Sequence, residues 1–271
     1  MTLRAALIDI DGTVVRGDTL LPGADDGVAM LREAGLDLLF LSNNPTKTSA
    51  GYAAHLRDLG LDVTDDEVLT SADATADHLT RERPDDRLFV IGSDPLLGLF
   101  EQRDLTVVDD PDEADAVVAS FDGGFDYADL TAALWAIDGG AALIGTDPDR
   151  SVPAANGRLV PGSGAILRAV AAAAEHEPDR VLGKPSRATI DLALSRLRVD
   201  AAECLMIGDR LTTDICMGER AGMVTALVLT GVTDRADLDG STVTPDHVLA
   251  SLDEIGQVLS DRRRGNGHRR G

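Results

Sequence analysis

Asp9 and Asp11 stand one residue apart where an apolar run ends, in LIDIDGTVV over residues 7–15. Alternate side chains of an extended segment share a side, so the two carboxylates point together. Aspartate-glycine flanked by apolar residues is also a strong hairpin signal. A hairpin accounts for Asp11 and Gly12 but not for Asp9, because an acid closing an apolar strand is costly unless something compensates it. A calcium loop is a poor rival, since the EF-hand needs its glycine at the sixth position and Gly12 stands at the fourth. A second acidic pair occurs in MIGDRLTTDI, where Asp209 follows an apolar run and Asp214 lies near the start of a helical pattern. The ordinary readings are a loop acid and a carboxylate at a helix N-terminus.

Two further run ends carry complementary groups. FLSNN places Ser42, Asn43 and Asn44 after one strand-like run, and LGKPS places Lys184 after another. A helix cap and a solvated lysine are the bland alternatives. The second is less persuasive here, because lysine occurs only at Lys47 and Lys184. If these runs form one parallel sheet with right-handed crossovers, their C-terminal ends line one edge, where ligands bind. Carboxylates converging there repel unless some are protonated or a cation joins them. Oxygen ligands without His or Cys point to a hard cation, Mg2+ foremost. Acids, a hydroxyl, an ammonium and Mg2+ suit phosphoryl transfer, with one carboxylate attacking phosphorus to form an aspartyl phosphate.

The elements needed to bring these residues together are legible in the pattern. AALIDI, LDLLFLSNN, ECLMIGD and VTALVLTG read as apolar strands, and RVLGKP as a short one. ADDGVAMLREAG, TKTSAGYAAHLRDLG, SRATIDLALSRLRV, LTTDICMGERAGM and SLDEIGQVL read as helices, several closed by glycine. Nearly continuous apolar strands alternating with helices predict a doubly wound, Rossmann-like parallel sheet covered on both faces. A middle block adds strand candidates RLFVIGS, ADAVVASFD and AALIGTDPD and the helix FDYADLTAALWAIDGG. The expected division is a core of residues 1–83 and 179–271, with an α/β domain of residues 84–178 inserted and ERPDD as the linker.

DIDGT, SNN, GKP and GDRLTTDI, in this order, resemble the four motifs of the haloacid dehalogenase superfamily. The long insert narrows the resemblance to its NagD-like, p-nitrophenyl-phosphatase-like subfamily with a large α/β cap, over about Leu3 to Leu259. The resemblance implies Asp9 as nucleophile and Asp11 as general acid, then base. It implies Mg2+ held by the Asp9 carboxylate, the Asp11 main-chain carbonyl and Asp209, with Asp214 supporting the metal through water or hydrogen bonds. Ser42 and Lys184 hold the phosphoryl group, and Asn43 contacts phosphate or substrate. Asp11 separates reaction classes: phosphatases and phosphomutases of the superfamily keep this acid, its ATPases carry threonine there, and its dehalogenases lack it. The implied function is hydrolysis of small phosphate monoesters: sugar phosphates, phosphoglycolate-like acids or nucleoside monophosphates. A mutase, or a silent metabolite-binding protein on the same fold, are the alternatives. One departure is visible, where the family's TNPD reads Thr146-Asp147-Pro148-Asp149.

Composition sets the surroundings. A net charge of -22 disfavours nucleic-acid binding by the body of the protein. So many acids with almost no lysine suggest a salt-rich cytosol, where self-repulsion is screened, against the rival of an ordinary acidic protein from a high-GC genome. Only Cys204 and Cys216 occur, too few for a disulfide framework, and Cys204 reads as a buried apolar thiol. No membrane segment or signal peptide is read, so a cytoplasmic location is expected. The basic stretch of residues 262–271 reads as a frayed tail, and the family resemblance suggests a homodimer through the cap.

Overall fold

The computed structural model describes residues 2–153 and 158–260. The basic tail lies outside the described residues. The chain divides into two compact units, one comprising the residues up to Ser42, Tyr52–Leu69 and Ile190 onward, the other Asn43–Gly51 and Thr70–Thr189.

The first unit is built on a six-stranded sheet in the order His247–Leu249, Val224–Val228, Cys204–Gly208, Ala5–Asp9, Asp37–Ser42, Val68–Thr70. The strands from His247–Leu249 across to Asp37–Ser42 pair in parallel. Period-two alternation sorts their side chains into two cores. Ala6, Ile8, Leu38, Phe40, Leu205 and Ile207 belong to one cluster, and Ala5, Leu7, Leu39, Leu41, Cys204 and Met206 to another. Both faces are therefore buried, which is why these strands are apolar throughout. Ala5–Asp9 sits in the middle, with the next long strand of the chain on one side and a strand from far along it on the other. This reversal of strand order opens the crevice that a doubly wound sheet offers to ligands.

The second unit has its own five-stranded parallel sheet, in the order Arg180–Val181, Ala142–Gly145, Ala116–Ala119, Arg87–Ile91, Thr106–Val107. Helices Ser71–Glu82 and Asp94–Gln102 contribute to one apolar cluster, and Tyr127–Asp138 and Ser163–Ala173 to another. An antiparallel pair, Ser151–Pro153 with Leu159–Pro161, stands outside the sheet.

The expected insert of residues 84–178 lies wholly within the second unit, which also takes in residues on either side of it. Helix Ser71–Glu82 buries Ala72, Ala76 and Leu79 against Leu88 and Phe100. Arg180–Val181 takes its ladder partners from Ala142–Gly145, and Leu182 joins the same cluster as that helix. Among the described residues no helix is long and apolar enough to cross a membrane.

Candidate active site

The first unit assembles most of the predicted residues at its strand ends. Asp9 closes the Ala5–Asp9 strand and is 5% exposed, while Asp209 and Asp214 are fully buried. One carboxylate oxygen from each lies within 4.8 Å of the others. Asp209 directly follows the Cys204–Gly208 strand, and its Oδ2 accepts a hydrogen bond from Val232 N–H at 2.6 Å. Asp214 lies in a widened, π-type turn over Leu211–Ile215, where Ile215 N–H bonds back to the Arg210 carbonyl at 3.2 Å. The Arg210 N–H in turn donates to Asp214 Oδ2 at 3.0 Å. Carboxylates so close in a buried place repel one another when charged, and an all-oxygen donor set of this kind fits a hard divalent cation. The backbone is shaped around the cluster, because a Cβ on Gly12 would stand 2.5 Å from Asp209 Oδ2. Gly231 also presses against Asp209, and Gly208 against Asp214.

Asp11 lies just beyond the strand and is exposed. The Asp-Gly turn does not make a hairpin. Gly12 takes φ 103°, its N–H bonds to the Val15 carbonyl at 2.8 Å, and the two-stranded ribbon follows later, pairing Val15–Arg16 with Thr19–Leu20. Thr230 Oγ1 fastens the turn by donating to the Gly12 carbonyl at 2.7 Å. Asp11 Oδ2 receives two donors, Ser42 Oγ and Tyr52 Oη, each at 3.1 Å, and Ser42 Oγ lies 3.0 Å from Tyr52 Oη. Ser42 closes its strand and is 2% exposed. Tyr52 sits on helix Ser49–Asp58 with its ring in the core beside Phe40 and Leu56. Burial first, and the charge of Asp11 next, hold its phenol well above the ordinary value, so it remains a donor.

Asn43 and Lys184 belong to the second unit. Lys184 is 3% exposed, which sets aside the solvated-lysine reading. The Asn43 amide is committed to protein groups. Its Oδ1 accepts from Lys184 N–H at 2.7 Å, and its Nδ2 donates to the Lys184 carbonyl at 3.1 Å and to Asp149 Oδ2 at 3.3 Å. Asn43 therefore fixes the backbone that carries the lysine. Asn44 Oδ1 accepts from Thr46 N–H and Oγ1, which makes it a turn residue. Asp147, where the family's motif has an amide, is buried and pushed up to about 7 by burial and the charge of Asp149. Hydrogen bonds from Ser163, the Asp149 N–H and Thr146 pull the other way without cancelling this.

Sequence reasoning did not find Tyr52, Thr230 or the Gly231–Val232 backbone. Tyr52 falls in step with Leu56 on a helix and reads as core. The Thr230 loop announces itself only as the glycine-containing end of an apolar strand. Cys204 is the buried free thiol expected, its pKa raised to about 11 by burial.

The family model described as haloacid dehalogenase-like hydrolase matches residues 6–106, and one described as HAD-hydrolase-like matches residues 181–255. The sugar-phosphatase AraL of Bacillus subtilis is 33% identical over 255 residues, covering 94% of this chain and 93% of that protein. Among solved structures, the p-nitrophenyl phosphatase from Archaeoglobus fulgidus matches with a TM-score of 0.89 at 35% identity, over 96% of this chain and 100% of its own. NagD from E. coli K-12 matches with a TM-score of 0.86 at 30% identity, over 94% and 99% respectively.

Proposed function

Because this chain belongs to the haloacid dehalogenase-like hydrolase family, we propose that it is a Mg2+-dependent phosphatase of small phosphate monoesters working through an aspartyl-phosphate intermediate. The observation that carries the reading is the buried cluster of Asp9, Asp209 and Asp214 with Asp11 two residues beyond the first of them. Asp9 and Asp209, with the Asp11 carbonyl, would hold Mg2+, and Asp214 would support it through water or hydrogen bonds; the ion when bound supplies positive charge to the phosphoryl oxygens and keeps Asp9 ionised.

In this reading an Asp9 oxygen attacks phosphorus and the ester P–O bond breaks. Asp11 gives its proton to the departing oxygen, then takes one from the water that hydrolyses the aspartyl phosphate. Ser42 donates its hydroxyl to a phosphoryl oxygen, and Lys184 supplies charge there in accordance with the family pattern. The second unit corresponds by the family resemblance to the inserted cap, the part of the chain on which substrate choice would depend. Sugar phosphates, phosphoglycolate-like acids and nucleoside monophosphates are the candidate substrates, and relatives named as a sugar phosphatase and as a 5'-nucleotidase match equally well.

The test uses the purified chain in high salt with Mg2+. Wild type is expected to release phosphate from p-nitrophenyl phosphate, to lose that activity on chelation, and to regain it when Mg2+ is restored. Asp9→Asn is expected to lower turnover by at least about a thousandfold, in keeping with loss of a nucleophile. Equal release by wild type and Asp9→Asn would remove the mechanism.

A further inference from the structure

We propose that Tyr52 is a positioning residue for Asp11: its hydroxyl holds the acid's Oδ2, so that Ser42 can turn its own hydrogen to the substrate while Oδ1 handles the proton. This inference rests on the phosphatase reading and goes further by adding a residue and dividing the work of three oxygens. Asp11 Oδ2, Ser42 Oγ and Tyr52 Oη form a triangle with sides of 3.1, 3.0 and 3.1 Å. A serine hydroxyl and a tyrosine hydroxyl bring one hydrogen each. Within the triangle either can rest on Oδ2. When a phosphoryl oxygen arrives as a further acceptor and takes the serine hydrogen, only the tyrosine hydrogen remains to hold Asp11. Among the described residues no hydrogen bond goes to Asp11 Oδ1, which leaves that oxygen to the leaving group and to water.

Asp11 needs such a holder. It is exposed and lies beyond the end of its strand, so the ladder that fixes Asp9 does not fix it. Tyr52 offers the opposite properties: a ring 2% exposed, wedged in the main core cluster on a helix. A donor fixed by packing places its partner more accurately than one on a mobile side chain, and general acid catalysis depends on that placement.

A tyrosine in a core with a satisfied hydroxyl would be the purely structural alternative, and the leaving group tells the two apart. The p-nitrophenolate ion departs without being protonated, whereas the alkoxide of a sugar phosphate needs the proton from Asp11. The quantity to measure is the ratio of kcat/KM for the sugar phosphate that wild type hydrolyses fastest to kcat/KM for p-nitrophenyl phosphate. This parameter reports the steps through departure of the leaving group, and the ratio within one sample cancels any difference in folded fraction. Tyr52→Phe, which keeps the ring, is expected to lower the ratio about tenfold, a fraction of what a general acid contributes. In an Asp11→Ala background the same substitution is expected to leave the ratio where Asp11→Ala alone puts it, because coupled residues do not add. A ratio unchanged in Tyr52→Phe, or lowered as far in the Asp11→Ala background as in wild type, overturns the proposal. Wild type that releases phosphate neither from p-nitrophenyl phosphate nor from any sugar phosphate removes the phosphatase reading itself, while wild type that hydrolyses p-nitrophenyl phosphate but no alkyl phosphate overturns this proposal and leaves that reading standing.

Discussion

Asp147 is the residue whose chemistry is most at odds with its place. An aspartate ordinarily titrates near 3.8, but burial and the nearby charge of Asp149 raise Asp147 to about 7. Between those values the folded protein holds a proton that the unfolded chain has released. The stability tied to this proton is full below the ordinary value, declines as pH rises through the window, and stays lost above about 7. Asp147→Asn restores the neutral amide and keeps an oxygen for the Asp149 N–H, so the variant is expected to gain on wild type as pH rises. The expected gap at pH 8 is about 2 kcal/mol, shrinking toward pH 5. Urea unfolding of both proteins at the two pH values measures it, and an equal gap at both would show that Asp147 does not titrate in between. The same neighbourhood shows the limit of reading residues singly. The resemblance implied Asn43 as a contact to phosphate or substrate, and the sequence offered Lys184 as a solvated cation or a functional one. The structure ties the first to the backbone of the second through paired hydrogen bonds, a relation across 141 positions that no local pattern encodes.

At the scale of elements, the turn after Ala5–Asp9 joins conformation to chemistry. Gly12 has φ 103°, and a side chain there would meet the Asp209 carboxylate. Gly12→Ala is therefore expected to strain the backbone by about 1–3 kcal/mol and to push Asp209 from Asp9, raising the Mg2+ concentration needed for half activity by tenfold or more. Gly17→Ala is the control. Its φ is 59° and nothing lies within 4 Å of the added carbon, so it should cost about 1 kcal/mol and leave the Mg2+ requirement alone. Mg2+ titrations and melting curves of the two variants separate strain from displacement. The strands that carry acids were legible because an apolar run ending in Asp contradicts the ordinary placement of charge. The Val68–Thr70 strand was not, since three residues hold no period. Helix Ser71–Glu82 shows a further limit: a helical pattern reveals which face is apolar but not which sheet will cover it. The division was expected at ERPDD, a Pro- and Asp-rich stretch, whereas the units part at Thr70, because this helix packs into the second unit's core.

At the scale of the molecule, 47 acids face 25 lysines and arginines, and surface pairs such as Arg4–Glu203, Arg57–Asp65 and Arg87–Asp115 join only some of them. The excess of acids gives the chain a net charge of -22, and like charges repel one another across the surface. Isolated surface pairs of this kind contribute little each, so they do not offset that repulsion. Salt does, over a range that depends on how the charges are spaced. The Debye length is about 10 Å at 0.1 M and about 3 Å at 1 M. An ordinary acidic protein, whose charges stand well apart, gains nearly all its stabilisation by physiological ionic strength. A chain built for a salt-rich cytosol keeps gaining above it, because its acids crowd within a few ångströms and only molar salt screens them. We propose the second case, and the melting temperature is expected to rise by about 10 °C or more between 0.15 and 2 M KCl, equivalent to a few kcal/mol for a chain of this size. Chloride rather than sulfate keeps the measurement on screening, since sulfate strengthens apolar burial by a separate route. A melting temperature that levels off by 0.2 M KCl would assign the charge to ordinary composition instead.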